Sequence, residues 1–363
     1  MPTATGTMII GNVYTAGPAA AKLIELVSLV PMKLKRLRCT CGSFPVHYTG
    51  RAVLAVLASF LLFACVPQKG TPSGEVREKA LVHYKAGITY LGEGKTPQAL
   101  QELTTADTLM PGDADIEHAL GLAYQQKGLY DKAQEHYEKA IKSNPKLTEA
   151  RNNLGTLFLI RSDFDKAIEE FKKCIDDPFY PTPENAHFNL GIGYFHKKEV
   201  DKAMEQYEKA ISFNKNNVKA LFNLGYCHET KGDYPKAFAL YKKTIELEQQ
   251  FNEGHFRLGL IKQYQKEYPA AQKAYETVLK IDPEHLAAQL QMGLLLIETG
   301  KTEEGTKGLE AVSTADPKGA LGNNAREKLG ELKGESNKAI GGNGDEKKAP
   351  APKTTEAGNK KKS

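Results

Sequence analysis

The sequence predicts an all-α chain built as a linear array of helix–turn–helix repeats, and three observations predict it. A glycine recurs at Gly87, Gly121, Gly155, Gly191, Gly225, Gly259 and Gly293, at intervals of 34, 34, 36, 34, 34 and 34 residues. Twelve residues after each glycine stands a small residue: Ala99, Ala133, Ala167, Ala203, Ala237, Ala271 and, in the last case, Gly305. Sixteen after it stands a large one: Leu103, Tyr137, Phe171, Tyr207, Tyr241, Tyr275 and Leu309. A sustained period of this length marks stacked units that bury a core only together.

Each position has a physical reason. The glycine has no Cβ and lets a second helix approach, and the alanine twelve residues on does the same from the other side. The large residues are expected to fill the gap between neighbouring repeats. Apolar residues recur at three and four, as in Leu154, Leu157, Phe158 and in Ala237, Leu240, Tyr241, which is the helical period. Turn residues split each repeat in two, as at Lys127-Gly128-Leu129-Tyr130-Asp131, Arg161-Ser162-Asp163 and Lys231-Gly232-Asp233-Tyr234. Pro111, Pro145, Pro283 and Pro317 close repeats, because the residue before a proline leaves the helical region. Lys215 and Gln249 stand where two further prolines would, so those junctions are expected to be continuous or less sharply bent helices.

These units resemble the tetratricopeptide repeat. The resemblance implies a right-handed superhelix of seven repeats at 80–113, 114–147, 148–183, 184–217, 218–251, 252–285 and 286–319. A capping helix is expected over 320–334, with Leu321, Ala325, Leu329 and Leu332 covering the open end. Residues 335–363, rich in Lys, Gly, Asn and Pro, are expected to be a disordered tail.

The N-terminal part reads differently. Ala52–Ala64 is a thirteen-residue uncharged run preceded by Arg51, with Lys33, Lys35, Arg36 and Arg38 upstream. As a helix it would span about 20 Å, short of a bilayer core of about 30 Å. Residues 1–64 are therefore expected to be a leader that is removed; residues 1–31 fit neither leader nor domain, so translation is expected to start at Met32 or Val46. Leu62-Phe63-Ala64-Cys65 resembles the lipobox of bacterial lipoproteins, which implies acylation, as by palmitate, of Cys65 and a tether over 65–79. Val66, not Asp, follows the cysteine, and the same resemblance then implies the periplasmic face of the outer membrane.

Composition excludes other classes. The net charge is +5, with lysines interleaved among glutamates, so no face carries the focused basic charge that nucleic acid needs. No phosphate loop, nucleophile elbow or His-Glu-x-x-His occurs, so the chain is expected to be non-enzymatic, without cofactor or metal. Cys39 and Cys41 have no second pair with zinc spacing. Cys174 falls where Ala106, Ala140 and Ala210 stand in other repeats and reads as a buried thiol; a disulfide to Cys227, two repeats away, is not expected. His83, His187 and His255 share one first-helix position and are expected to make contacts between repeats.

A protein partner is expected on the inner face, lined by first helices. Three residues before and one after the repeat glycine, the rows are apolar from the fourth repeat on: Phe188 and Ile192, Phe222 and Tyr226, Phe256 and Leu260, Leu290 and Leu294. Such a groove suits an amphipathic helix or extended peptide. Asn153, Asn189, Asn223, Lys219 and Arg257 match part of a carboxylate clamp, but Asn152, Thr156, Phe188 and Ile192 occupy the positions that clamp requires, and this mode is rejected.

The interval of 36 comes from Asp176-Asp177-Pro178-Phe179-Tyr180-Pro181-Thr182-Pro183, an insertion of two residues that leaves the later spacing intact. The pattern Asp177, Pro178, Tyr180, Pro181, Thr182, Pro183, followed by Ala186, Asn189 and Gly191, resembles the type IV pilus biogenesis lipoproteins of the PilF, PilW and Tgl type. That resemblance implies a pilotin: a lipid-anchored scaffold that helps the pilus secretin assemble. The alternative expectation is a periplasmic adaptor for a protease, a cell-wall enzyme or an exopolysaccharide export complex. The insertion sits at a repeat boundary, so the array is expected to continue through it.

Overall fold

The computed structural model describes residues 73–341; the expected leader, Cys65 and the expected tail beyond Gly341 lie outside the described residues. Among the described residues there are fifteen α-helices and no strand. The first helices of the seven repeats are α1 (Gly74–Gly92), α3 (Ala114–Gln126), α5 (Thr148–Ile160), α7 (Pro183–His196), α9 (Val218–Thr230), α11 (Asn252–Tyr264) and α13 (Leu286–Glu298). The second helices are α2 (Thr96–Leu109), α4 (Tyr130–Ser143), α6 (Phe164–Ile175), α8 (Val200–Phe213), α10 (Tyr234–Leu247), α12 (Tyr268–Ile281) and α14 (Thr302–Ala315), and α15 (Ala320–Gly341) follows them. They form two compact bodies that divide between Ala220 and Leu221, inside α9. The insertion lies within the first body and is not a domain break.

One device turns every repeat. The residue seven after the repeat glycine has positive φ in all seven: Gly94, Gly128, Ser162, Lys198, Gly232, Lys266 and Gly300. Its N–H and the next one reach back to carbonyls of the first helix, as in Ser162 to Leu159 (3.0 Å) and Asp163 to Phe158 (2.8 Å). These paired bonds are a Schellman motif, and glycine suits its left-handed position best. The chain then returns antiparallel. Positions −4, 0 and +4 on the first helix, counted from the glycine, meet +15, +16 and +12 on the second, as in His83 with Glu102, Gly121 with Tyr137 and Ile297 with Gly305. Within each body, connections between repeats therefore lie on one edge and the tight turns on the other.

The core is periodic. A Cβ built on Gly121 would lie 2.5 Å from the Tyr137 ring, and the other repeat glycines are closed in the same way by the residue sixteen later. The large residue was expected between repeats; it fills the space inside its own repeat, because the glycine leaves a hollow there. Repeats join elsewhere. Ile116 packs with Leu103 and Ala106, Ala186 with Cys174, and Ala288 with Val278. The final helix covers Leu290, Leu309 and Val312 with Leu321, Ala325 and Leu329.

Three expectations about element ends are corrected. The junctions at Lys215 and Gln249 are broken, not continuous: Asn214 (φ −134°, ψ 96°) and Glu248 (φ −134°, ψ 93°) adopt the same extended geometry as Asn144 before Pro145. At Asn214 the side chain accepts from Asn216 N–H at 3.1 Å, a local turn that needs no proline. The tether does not reach residue 79, because Ser73 caps α1 through Val76 N–H and a Glu75–Lys79 pair (2.8 Å) supports the first turn. Residues 335–341, expected to be disordered, continue α15, as no proline interrupts the chain before Pro350.

Candidate protein-binding surface

The expected groove is mostly filled. Phe188 and Ile192 in the first body are buried, and Phe188 packs on Tyr207 with ring centres 5.9 Å apart. In the second body Phe222, Phe256 and Leu290 are buried as well; Phe222 meets Tyr241 (5.4 Å) and Phe251 (5.3 Å), and Phe256 meets Tyr275 (6.0 Å). These five side chains are core, which corrects their assignment as partner contacts. For Phe188, Phe222 and Phe256 the reason is the second-helix aromatic, which reaches across its glycine and meets the residue three before it, and Leu290 packs in the same cluster as Leu309. Tyr226, Leu260 and Leu294, one after the glycine, remain half-buried and are the part of the expected row still open to a ligand.

The polar residues on these helices are committed too. Asn153 pairs with His118 (2.8 Å) and Asn189 donates to Asn152 (3.2 Å). Arg257 is buried, donates to Glu229 at 3.1 Å and stacks 4.5 Å from the Tyr226 ring. Asn223 is buried with neither amide atom hydrogen-bonded, so it presents nothing to solvent. Asn153, Asn189, Asn223 and Arg257 are therefore not presented for a carboxylate.

The histidine position works inside a repeat at His83 and His187, and joins neighbouring repeats, as expected, only at His255. His83 bonds Glu102 (2.6 Å) and His187 bonds Gln206 (2.9 Å), each nineteen residues on; His255 instead meets the carbonyl of Gln249 (3.0 Å). Glu117 with His136 (2.6 Å) and Arg151 with Glu170 (3.3 Å) use the same spacing. Cys174 and Cys227 are both free and buried, and burial pushes each thiol up to about 12.

One regularity was missed in the sequence although it is written there. Tyr137 donates to Gln125 (2.7 Å), Tyr241 to Glu229 (2.6 Å) and Tyr275 to Gln263 (2.8 Å), always twelve residues back. Where the second-helix residue lacks a hydroxyl, the residue twelve before it is apolar: Leu91 with Leu103, Leu159 with Phe171, Ile297 with Leu309. Six of the seven repeats match donor to acceptor in this way; the fourth departs from it, with Phe195 standing twelve residues before Tyr207.

The insertion is a built loop. Asp177 accepts from the Thr148 hydroxyl at 2.5 Å and from Phe179 N–H at 2.9 Å, and its carbonyl accepts from Tyr180 N–H at 3.1 Å. These bonds hold the Asp177 carboxyl below the ordinary range, with the Thr148 hydroxyl the larger cause. Tyr180 is buried against Cys174 and Ala186, and desolvation raises its hydroxyl. Thr182 precedes α7 and its carbonyl accepts from Asn185 N–H at 3.0 Å, while Pro183 sits at the first helical position, where its missing N–H costs nothing. Pro178 and Pro181 are exposed on either side of Phe179, which is 89% exposed. Sequence reasoning singled out Tyr180; the structure uses it as the anchor and presents Phe179.

The fold defined by these repeats is that of tetratricopeptide-repeat proteins. The chain matches tetratricopeptide-repeat families over residues 118–181, 193–232, 218–251 and 264–329. Proteins of this class generally bind protein partners. Among solved structures it is similar to PilF of Pseudomonas aeruginosa, at 22% identity over 59% of this chain and 97% of that one, with a TM-score of 0.55. It is also similar to PilW, a widely conserved type IV pilus biogenesis factor, at 20% identity over 56% of this chain and 94% of that one, TM-score 0.53. Similarity extends to a chain of the APC/C hetero-tetramer Cut9–Hcn1, at 16% identity over 77% of this chain and 52% of that one, TM-score 0.57. At such identities the likeness is one of fold. No curated protein matches the chain in sequence.

Proposed function

We infer that this protein is a non-enzymatic scaffold lipoprotein that acts as a pilotin, assisting assembly of the outer-membrane secretin of a type IV pilus. The observation that carries the reading is the insertion at Asp177–Pro183, a pattern that resembles the pilus biogenesis lipoproteins and that here forms an anchored loop with its own hydrogen bonds. The fold shared with PilF and PilW supports it. No reaction is required: the repeats offer a preorganised surface, and acyl chains on Cys65 raise the local concentration of that surface at the membrane. Among the described residues no helix is long and apolar enough to cross a membrane.

The test is a deletion strain. Loss of heat-resistant secretin multimers, restored by the wild-type gene, is expected. Normal multimers and normal piliation would refute the reading and turn attention to a periplasmic adaptor role. A Cys65→Ser chain is expected to leave the membrane fraction.

A further inference from the structure

Phe179 invites a second question. It is the most exposed of the large apolar side chains among the described residues, at 89%, yet the backbone that carries it is pinned on both sides. Asp177 holds the Phe179 N–H and the Thr148 hydroxyl, and Tyr180 is buried. A large apolar side chain carried outward on a pinned turn is preorganised for a contact outside the chain.

Topology says where it points. First helices start, and second helices end, on the edge that carries the connections between repeats. Phe179 stands on that edge, as does Phe213 at the end of α8, 58% exposed and stacked on His187 with ring centres 5.7 Å apart. Ser73, where the described chain begins, stands on the same edge at the start of α1. Seven residues, eight Cα-to-Cα steps, separate Cys65 from Ser73, a reach of at most about 28 Å. The opposite edge, with Tyr130 and Ile160, lies a further helix length away, about 20 Å for thirteen residues. An acyl anchor would therefore attach the chain on the edge that also carries Phe179.

We propose that this edge of the first body rests on the lipid surface, with Phe179 inserted at the headgroup boundary as a second contact beside the acyl chains. Aromatic side chains partition to that boundary, and a single projecting ring flanked by exposed Pro178 and Pro181 lacks the surrounding apolar patch that a protein hot spot needs to exclude water. Contact at this edge orients the repeats relative to the membrane and leaves their helix faces free for a protein. The proposal rests on the acyl anchor at Cys65.

The chain contains no tryptophan, so Phe179→Trp and Tyr130→Trp each create a sole tryptophan, excited selectively at about 295 nm apart from the tyrosines. The acylated full-length protein is reconstituted in vesicles of phosphatidylethanolamine and phosphatidylglycerol doped with brominated phosphatidylcholine. Blue-shifted emission from Phe179→Trp, quenched at least about two-fold more strongly than that from Tyr130→Trp, is expected for a residue at the headgroup boundary. Equal, solvent-like emission from the two variants would overturn the proposal, as would a blue shift that appears only on adding the secretin, which would make Phe179 a protein contact. Mass spectrometry of Cys65 tests the anchor separately. If Cys65 is unmodified, the anchor reading falls. The Phe179 contact is then read from a Ser73→Cys chain, with Cys39, Cys41 and Cys65 replaced by serine, coupled to a maleimide lipid: quenching of Phe179→Trp supports it, and its absence overturns it.

Discussion

Removing the Tyr137 hydroxyl tests the donor–acceptor balance of the core. Tyr137 is fully buried and donates to Gln125 Oε1 at 2.7 Å, and Gln125 is itself 2% exposed with its Nε2 already unbonded. Tyr137→Phe deprives the buried amide of this donor, and Gln125→Leu deprives the buried hydroxyl of its acceptor. A buried polar group left unpaired costs about 1–3 kcal/mol, whereas replacing both partners with apolar groups of similar shape is close to neutral. The double variant Tyr137→Phe/Gln125→Leu recreates the Phe171–Leu159 pair that the third repeat already uses. Each single variant is therefore expected to lose about 1–3 kcal/mol and the double variant less than either. The coupling exceeds the few tenths of a kcal/mol that independent sites show. Urea unfolding followed by far-UV and near-UV circular dichroism measures the cycle, with coincidence of the two signals checking cooperativity. Additive losses in the double variant would refute the reasoning.

Three further outcomes are expected. Ser162, Lys198 and Lys266 hold left-handed backbone positions (φ 62°, 65° and 60°) that glycine fills in the other four repeats; each substitution to glycine is expected to stabilise by up to about 1 kcal/mol, relief of the left-handed penalty exceeding glycine's entropy cost, and to raise Tm. The Asp177 carboxyl is held down by Thr148 and Phe179 N–H, so its contribution to loop order is present above the ordinary carboxylate pKa and is lost as pH falls through the depressed value; carboxyl NMR should report the lowered titration and the Phe179 amide should shift with it, and Asp177→Asn should abolish that dependence. Cys174 and Cys227, buried and pushed up to about 12, are expected to resist iodoacetamide at pH 8 in the folded chain and to react on unfolding, as mass spectrometry of the two peptides would record.

How much of this was legible beforehand follows from what a repeat makes visible. Seven copies of one spacing average out local noise, so the helix pairs, the repeat glycines and the capping residues Leu321, Ala325 and Leu329 could be read directly. The tyrosine–acceptor pairs were equally written in the chain, at a spacing of twelve, but seeing them requires knowing that the second helix returns antiparallel. The junctions misled because proline is one way to break a helix and an asparagine turn at Asn214 is another. The groove was misjudged for a different reason. Period tells which residues share a face, not how far a neighbour's ring extends over it, and Tyr207, Tyr241 and Tyr275 cover Phe188, Phe222 and Phe256.

The sequence by itself determined the class of architecture, the count of repeats and the place of the insertion, because those are properties of spacing. Only the tertiary structure decided which side chains inside each repeat are core and which are offered outward. At Phe179-Tyr180 two adjacent aromatics of similar size have opposite fates. Local propensity does not separate them. Tyr180 is drawn in by the space against Cys174 and Ala186, and the Asp177 hydrogen bonds fix a turn that leaves Phe179 facing out.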